Sequence, residues 1–348
     1  VYEVTCLGHQ VLVETNAGHE IGFEDADYKE VGATIASSAK EVFDKADLIV
    51  KVKEPQPEEC KMLRKGQVLF TFLHLAPDPV QTELLQESGC IAIAYETITD
   101  AFGGLPLLSP MSEVAGRMSI QAGAKCLEKI SGGSGKLLGG VPGVAPADVV
   151  VLGGGVVGTN AIRMALGMEA NVTVIDRSLK RLRELDSQYG SALNTIYSTT
   201  HNISTYVKNA DLVIGAVLIP GANAPKLVTE EMVKTMARGS VLVDVAIDQG
   251  GCFETSRATT HEDPIYIKDE VVHYCVANMP GACAKTAAIA LNNATLPYLL
   301  NLITKGVREA LLEDAHFLNG LNVCNGKITY KAVADAFNKE YVSPIDVL

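Results

Sequence analysis

The sequence predicts an α/β protein built from two doubly wound parallel-sheet domains joined by long helices, with a cleft between them. Three observations carry this prediction. The chain of 348 residues is too long for one small core, so two domains are expected. Short apolar runs alternate with helix-length polar segments, the pattern of βαβ units and a parallel sheet. Residues 148–176, DVVVLGGGVVGTNAIRMALGMEANVTVID, read as a strand, a glycine turn, a helix and a second strand.

That last stretch organises the chain. Val149 to Leu152 form a continuous apolar run, as a buried parallel strand does. The glycines follow at the spacing Gly153-x-Gly155-x-x-Gly158. In a Rossmann-type unit the first glycine permits the tight turn, the second lets the backbone approach a pyrophosphate, and the third lets helix and strand pack closely. Backbone N–H groups at the helix start then face the phosphate charge. Asp176 closes the second strand, about 20 residues on, where a carboxylate accepts hydrogen bonds from ribose hydroxyls. A lone glycine motif is weak, but in this strand–turn–helix–strand–acid context it points to a dinucleotide.

Before this unit, strands are expected at Gln10–Val13, Leu48–Val52, Val68–Leu73 and Ile91–Tyr95, with helices such as Ala39–Lys45 and Pro79–Glu87 between them. Residues 111–129 read as one long helix whose small side chains predict tight packing on another helix. Residues 131–146, with GGSGK and GGVPG, read as loop or hairpin. Further strands are expected at Thr195–Tyr197, Leu212–Val217, Val241–Val245 and Val271–Val276, completing the six of a full doubly wound sheet. A second long apolar helix, 282–302, precedes a polar amphipathic tail. The chain order predicts a discontinuous substrate domain, 1–106 plus 284–348, and an inserted nucleotide-binding domain, 107–283.

Composition narrows the class. Hydrophobic residues make up 47% and charged residues 20%, as in an ordered globular protein. A net charge of −12 with no basic run argues against a nucleic-acid surface. The eight cysteines are scattered without a CxxC, which suits reduced thiols in a cytoplasmic protein better than a disulfide framework or a zinc site. No signal peptide or membrane-length apolar run is present in the sequence. No HExxH or carboxylate cluster predicts a metal, and GGSGK lacks the spacing of a phosphate-binding P-loop.

Ligands in open α/β sheets bind outside the carboxyl ends of the strands. Lys53 and Glu54 end LIVKVKEP, and His74 ends VLFTFLHLA. A lysine and a histidine at two such ends can share one crevice, or can be a solvated lysine and a satisfied histidine at ordinary loop starts. Asp248, in IDQGG after a nucleotide-domain strand, is placed to face a nicotinamide or simply to form a turn. Asn278, in VANMPG, carries the same two readings.

With KVKEP at 51–55, FTFLHLA at 70–76, PMSEVAGRMS at 110–119, GGVPGV at 139–144, GAVLIPGANAPKLV at 215–228, VDVAIDQGGCFE at 243–254 and CVANMPG at 275–281, the chain resembles the alanine dehydrogenase / pyridine nucleotide transhydrogenase family over nearly its whole length. The resemblance to alanine dehydrogenase implies reversible NAD-linked oxidative deamination of L-alanine to pyruvate and ammonium, in a cytoplasmic homo-hexamer of two Rossmann-like domains around a cleft. It also implies site residues. Lys53 corresponds to the substrate lysine, His74 to the acid/base histidine and Asp248 to the second catalytic group. NAD contacts carry over onto Ser112, Gly153, Gly155, Gly158, Asp176, Arg181, Ser198, Leu218, Ile247, Asn278 and Met279.

The resemblance further implies a substrate-clamping arginine in a first strand that precedes Val1; the first arginine here is Arg64, in the polar KMLRKG. Since VYEVTCLGHQVLVE reads as a helix end leading into a second strand, one more strand–turn–helix upstream is expected. A polypeptide of just Val1–Leu348 is expected to be poorly soluble, or to bind NADH but oxidise alanine slowly. The runner-up is the soluble nucleotide-binding subunit of a proton-translocating transhydrogenase, which needs no amino-acid pocket. A saccharopine-type dehydrogenase and a non-enzymatic nucleotide-binding protein are further readings; the Lys53 and His74 pair disfavours the latter.

Overall fold

The computed structural model describes residues 1–217 and 224–348. The chain divides into two compact units, one of Val1–Pro110 with Ala284–Leu348 and the other of Met111–Cys283.

The first unit opens with strand β1 (Leu12–Glu14), which pairs in parallel with β2 (Thr34–Ala36) as a separate two-stranded sheet. Strands β3 (Leu48–Val50), β4 (Val68–Thr71) and β5 (Ile91–Ala94) follow and pair in parallel. Every residue of β4 is buried, as expected of a central parallel strand. The helix Pro79–Ser88 connects β4 to β5 with clear punctuation. The Asp78 side chain accepts from the Gln81 N–H at 2.9 Å, Pro79 occupies the first turn, and Gly89 ends the helix at φ 66°. Phe70 and Tyr95 meet edge to face, with ring centroids 4.5 Å apart.

The second unit is a seven-stranded sheet. Its strands are β6 (Asp148–Leu152), β7 (Asn171–Asp176), β8 (Leu193–Tyr197), β9 (Leu212–Gly215), β10 (Val241–Asp244), β11 (Ile265–Lys268) and β12 (Val271–Tyr274). The spatial order is β11-β12-β10-β9-β6-β7-β8. Without the β11 edge this is the doubly wound order, all parallel, reversing between β6 and β9. Alternation along β6 explains the burial: Val149 and Val151 enter one apolar core and Val150 and Leu152 the other. The small residues of the helix Ser109–Leu127 also have a reason. A Cβ on Gly116 would collide with the Val157 carbonyl oxygen, so this glycine lets the helix pack against Val156–Gly167.

Strand β11 was not expected from the sequence. It pairs antiparallel with β12 through a turn in which Asp269 and Glu270 have φ of 51° and 61°. Such a turn usually announces itself as Asn-Gly or Asp-Gly, and Asp-Glu does not.

The chain then returns to the first unit through the helix Ala284–Lys305. The expected amphipathic tail is corrected here, because it contains strands β13 (Leu321–Cys324) and β14 (Lys327–Ile328). These complete a five-stranded sheet of order β14-β13-β5-β4-β3, with β13 antiparallel to β5. Its parallel part is therefore three strands, and the rest is an antiparallel hairpin. Asn325-Gly326, both at positive φ, was the readable turn signal.

Candidate active-site residues

In the second unit, the glycine turn joins β6 to the helix Val156–Gly167. Gly153 has φ 97°, a conformation that L side chains rarely adopt. Gly155 caps the helix, and a Cβ there would meet nothing within 4 Å. That open space is what a pyrophosphate requires beside the N–H groups of the helix start. A Cβ on Gly158 would fall well inside contact of the Gly153 carbonyl oxygen, so the third glycine fits its expected packing role.

Asp176, at the end of β7, accepts from the Gly154 N–H and the Ser178 N–H, each at 2.7 Å. Arg181 stands on the other side of the same turn. It donates through Nε to the Gly154 carbonyl at 2.6 Å, through one Nη to Thr159 Oγ1 at 2.7 Å, and through the other to Glu184 at 2.7 Å. Ser198 donates its N–H to the Asp176 carbonyl at 3.0 Å. The turn, Asp176, Arg181 and Ser198 are thus one bonded group at the carboxyl ends of β6, β7 and β8. These groups fit a dinucleotide: open space over the turn, free N–H groups, and a carboxylate where ribose hydroxyls are expected.

A second group lies after β10 and β12. Asp248 accepts from the Asn278 N–H at 3.2 Å, and Asn278 itself has φ 53°. Ile247 and Met279 are buried, at 7% and 2% exposure. Asp244, which sequence reasoning did not single out, anchors the loop. Fully buried, it accepts from the N–H groups of Ala246, Cys252 and Phe253 and from the Ser256 hydroxyl. Ser112 is half-buried one turn before Gly116 on the helix that packs on Val157. Leu218 lies outside the described residues.

In the first unit, Lys53, Glu54 and His74 come together beyond the ends of β3 and β4. His74 Nδ1 is 2.6 Å from Glu54 Oε1, and Lys53 Nζ is 3.5 Å from Glu54 Oε2. The imidazole stacks on Phe72 with centroids 5.7 Å apart. His74 has φ 49°, and the carboxylate of Glu96 accepts from the His74 N–H at 2.6 Å and from the Leu73 N–H. Partial burial opposes charge on Glu54, but the His74 hydrogen bond, a backbone N–H and the Lys53 and His74 charges outweigh it and hold the carboxyl down at about 2. Burial likewise opposes the imidazolium, but the Glu54 hydrogen bond and the Glu96 and Glu54 charges raise the His74 pKa above its ordinary value. Glu96 was the neighbour of His74 that spacing missed, and Glu54, though named beside Lys53, was not linked to the histidine. Glu54 was visible inside KVKEP, and Glu96 at the carboxyl end of β5, but nothing local assigned either to His74.

Lys136 of GGSGK pairs with Asp211 at 2.6 Å beside the start of β9, the opposite end of the sheet from the glycine turn. Among the described residues, no group of three or more His, Cys, Asp or Glu side chains is placed to hold a metal ion. No described helix is long and apolar enough to cross a membrane.

Comparison with known proteins agrees across the chain. Residues 1–115 match the family model for the alanine dehydrogenase/PNT N-terminal domain, and residues 119–331 match that for the C-terminal domain. An alanine dehydrogenase of Halomonas elongata is 57% identical over 99% of this chain and 93% of its own length. One from Methanococcus maripaludis is 55% identical over 96% of this chain and 90% of its own. A solved L-alanine dehydrogenase superposes with a TM-score of 0.93 at 49% identity, over 97% of this chain and 93% of that one. A transhydrogenase from Sinorhizobium meliloti shares the fold, with a TM-score of 0.79 at 23% identity over 95% of this chain and 93% of that one.

Proposed function

This chain belongs to the alanine dehydrogenase/PNT family, and from that premise we propose that it catalyses the reversible NAD-dependent oxidative deamination of L-alanine. Alanine, NAD⁺ and water give pyruvate, ammonium, NADH and a proton. The observation that carries the reading is the His74–Glu54–Lys53 cluster, which supplies a proton-exchanging group beside a cation. A transhydrogenase subunit, passing hydride between two nucleotides, has no use for that pair. We further propose a cytoplasmic location, which the scattered unpaired cysteines support, and a homo-hexamer, on the strength of the resemblance alone.

Bound NAD supplies the hydride acceptor for the alanine Cα. The rest is proton and charge handling by the protein. Lys53 holds the substrate carboxylate and polarises the oxygen on which charge develops. His74 takes a proton from the water that attacks the iminium carbon and returns one to the departing amine. Asp248 orients water, ammonia or the nicotinamide ribose. Asn278, tied to Asp248 at 3.2 Å, and Met279 shape the nicotinamide end, with Ser112 and Ile247 as further NAD contacts. NADH formation measured with a panel of L-amino acids tests the reading; a preference for any substrate other than alanine overturns it.

Two variants test its parts. Lys53→Ala should lower turnover and raise the pyruvate KM about 10- to 100-fold, the loss of one charged hydrogen bond. Steady-state kinetics with unchanged pyruvate KM and kcat would remove Lys53 from the site. Asp176 should reject NADP, because two like charges at ~4 Å in a partly dry pocket cost on the order of several kcal/mol before screening. Arg181, committed to Gly154, Thr159 and Glu184, is not free to offset that repulsion. Asp176→Ala should raise the NAD KM more than the NADP KM and narrow the preference. Equal kcat/KM for the two nucleotides in the unmodified enzyme would contradict this.

A further inference from the structure

We propose that Glu54 is the positioning residue of the acid/base site, fixing which nitrogen of His74 exchanges protons and spacing the Lys53 ammonium beside it. The inference rests on the assignment of His74 above. Three geometric facts carry it.

The imidazole has little freedom. Its backbone is held in a left-handed conformation, φ 49°, by the Glu96 carboxylate at two successive N–H groups. Its ring lies on Phe72 at an interplanar angle of 17°. Its Nδ1 sits 2.6 Å from Glu54 Oε1, a short contact in the direction that charge assistance shortens a hydrogen bond. Glu54 is only 25% exposed and is ionised across the physiological range, so its carboxylate can only accept. Nδ1 must therefore carry the hydrogen, and Nε2 remains as the atom that takes and gives protons.

The second carboxylate oxygen does separate work. Glu54 Oε2 lies 3.5 Å from Lys53 Nζ, so one side chain addresses both functional groups through different oxygens. A lysine and a protonated histidine side by side repel, and the interposed carboxylate offsets that repulsion as the histidine gains its proton. The charged groups that face the ring are Glu54, Glu96 and Lys53. Two of the three are carboxylates, so losing Glu54 leaves one carboxylate against one lysine.

The sign of the pH effect follows. Alanine oxidation needs the base form of His74, so its rate rises with pH through the histidine pKa. Pyruvate amination needs the acid form and falls with pH through the same value. Removing the Glu54 charge lowers that pKa, so both limbs should move to lower pH together.

The test uses the full-length enzyme with Glu54→Gln, Glu54→Ala and Glu54→Asp. Glu54→Gln keeps the shape and an accepting oxygen but not the charge; both limbs should shift down by about one unit. Glu54→Ala removes orientation as well and should lower kcat about 100-fold, within the range for impaired acid–base catalysis. Glu54→Asp restores the charge one methylene short, and should return the limbs toward their original pH. NADH binding, followed by fluorescence, should stay within about twofold in all three, showing that the variants fold. Unmoved limbs and near-normal kcat in Glu54→Gln and Glu54→Ala, with His74→Ala inactive, would refute the role of Glu54 and leave that of His74 standing. A loss confined to pyruvate KM, with unmoved limbs, would assign Glu54 to Lys53 alone and also refute it. An active His74→Ala enzyme would instead overturn the reading beneath.

Discussion

Replacing His74 with alanine should reduce alanine oxidation by about 10²–10⁴-fold, the usual cost of losing a general acid–base group. NADH affinity should be unchanged, because the glycine turn and Asp176 belong to the other compact unit. The fold should survive the substitution. The imidazole is 44% exposed, so its removal leaves no sealed cavity, and Glu54 retains Lys53 as a partner. The loss should appear in kcat and in kcat/KM alike, since the proton transfers belong to the transition state and not to substrate binding. Steady-state kinetics in both directions, with NADH titrations and a thermal midpoint, checks each part. A variant retaining most of its turnover would show that another group exchanges the protons. A variant that lost NADH binding instead would show that the substitution acts through the fold.

The sequence disclosed the interior more fully than the edges. β6, β7, β9, β10 and β12 were legible because strands covered on both faces are continuous apolar runs, which periodicity detects. The edge strand β11 was not. None of its residues is fully buried, Ile267 is 58% exposed, and its turn uses Asp269-Glu270 in place of a glycine pair. β13 and β14 were hidden differently, since they belong to a sheet whose other strands lie more than 200 residues earlier. The candidate site divides along the same line. Lys53, His74 and Asp248 stood out because strand ends are predictable places for chemistry. Glu54 stood beside Lys53 at the same strand end, though its bond to His74 was not foreseen; Glu96 did not stand out, because it is 22 residues away in sequence and meets the His74 backbone only through the pairing of β4 with β5. Asp244 shows a third kind of silence. An acidic residue inside VLVDVA looks like a break in an apolar strand, and only the folded loop reveals the backbone N–H groups, the hydroxyl and the thiol that donate to it.

The nucleotide turn offers the other large effect, and its glycines should fail in different ways. Gly158→Ala should both destabilise the second unit and weaken nucleotide binding. Its new Cβ would overlap the Gly153 carbonyl oxygen and stand 2.9 Å from the Gly153 carbonyl carbon, with Val151 Cγ1 at 3.4 Å. The colliding atoms are backbone, so no side-chain rotation relieves them. Either the first turn of the helix lifts off β6 or the Gly153 turn rebuilds, and Gly153, at φ 97°, has few conformations to choose from. Overpacking of this kind costs typically about 1–3 kcal/mol and more where the neighbours cannot shift. Either route also displaces the N–H groups that would face the pyrophosphate, so NADH affinity should fall at least about 100-fold, roughly 2.7 kcal/mol. Gly155→Ala is the control that separates the two effects. Its φ of −68° and ψ of −161° suit alanine, and its Cβ would enter open space, so the thermal midpoint should hold. Yet with the dinucleotide over the turn, as proposed, that space is the approach to its phosphates, and NADH affinity should still drop. Paired measurements of thermal midpoint and NADH binding on the two variants decide the matter. A Gly158→Ala protein that melted normally and bound NADH normally would show that helix and strand do not need this close approach. A Gly155→Ala protein with unchanged affinity would mean that the dinucleotide does not lie over the turn.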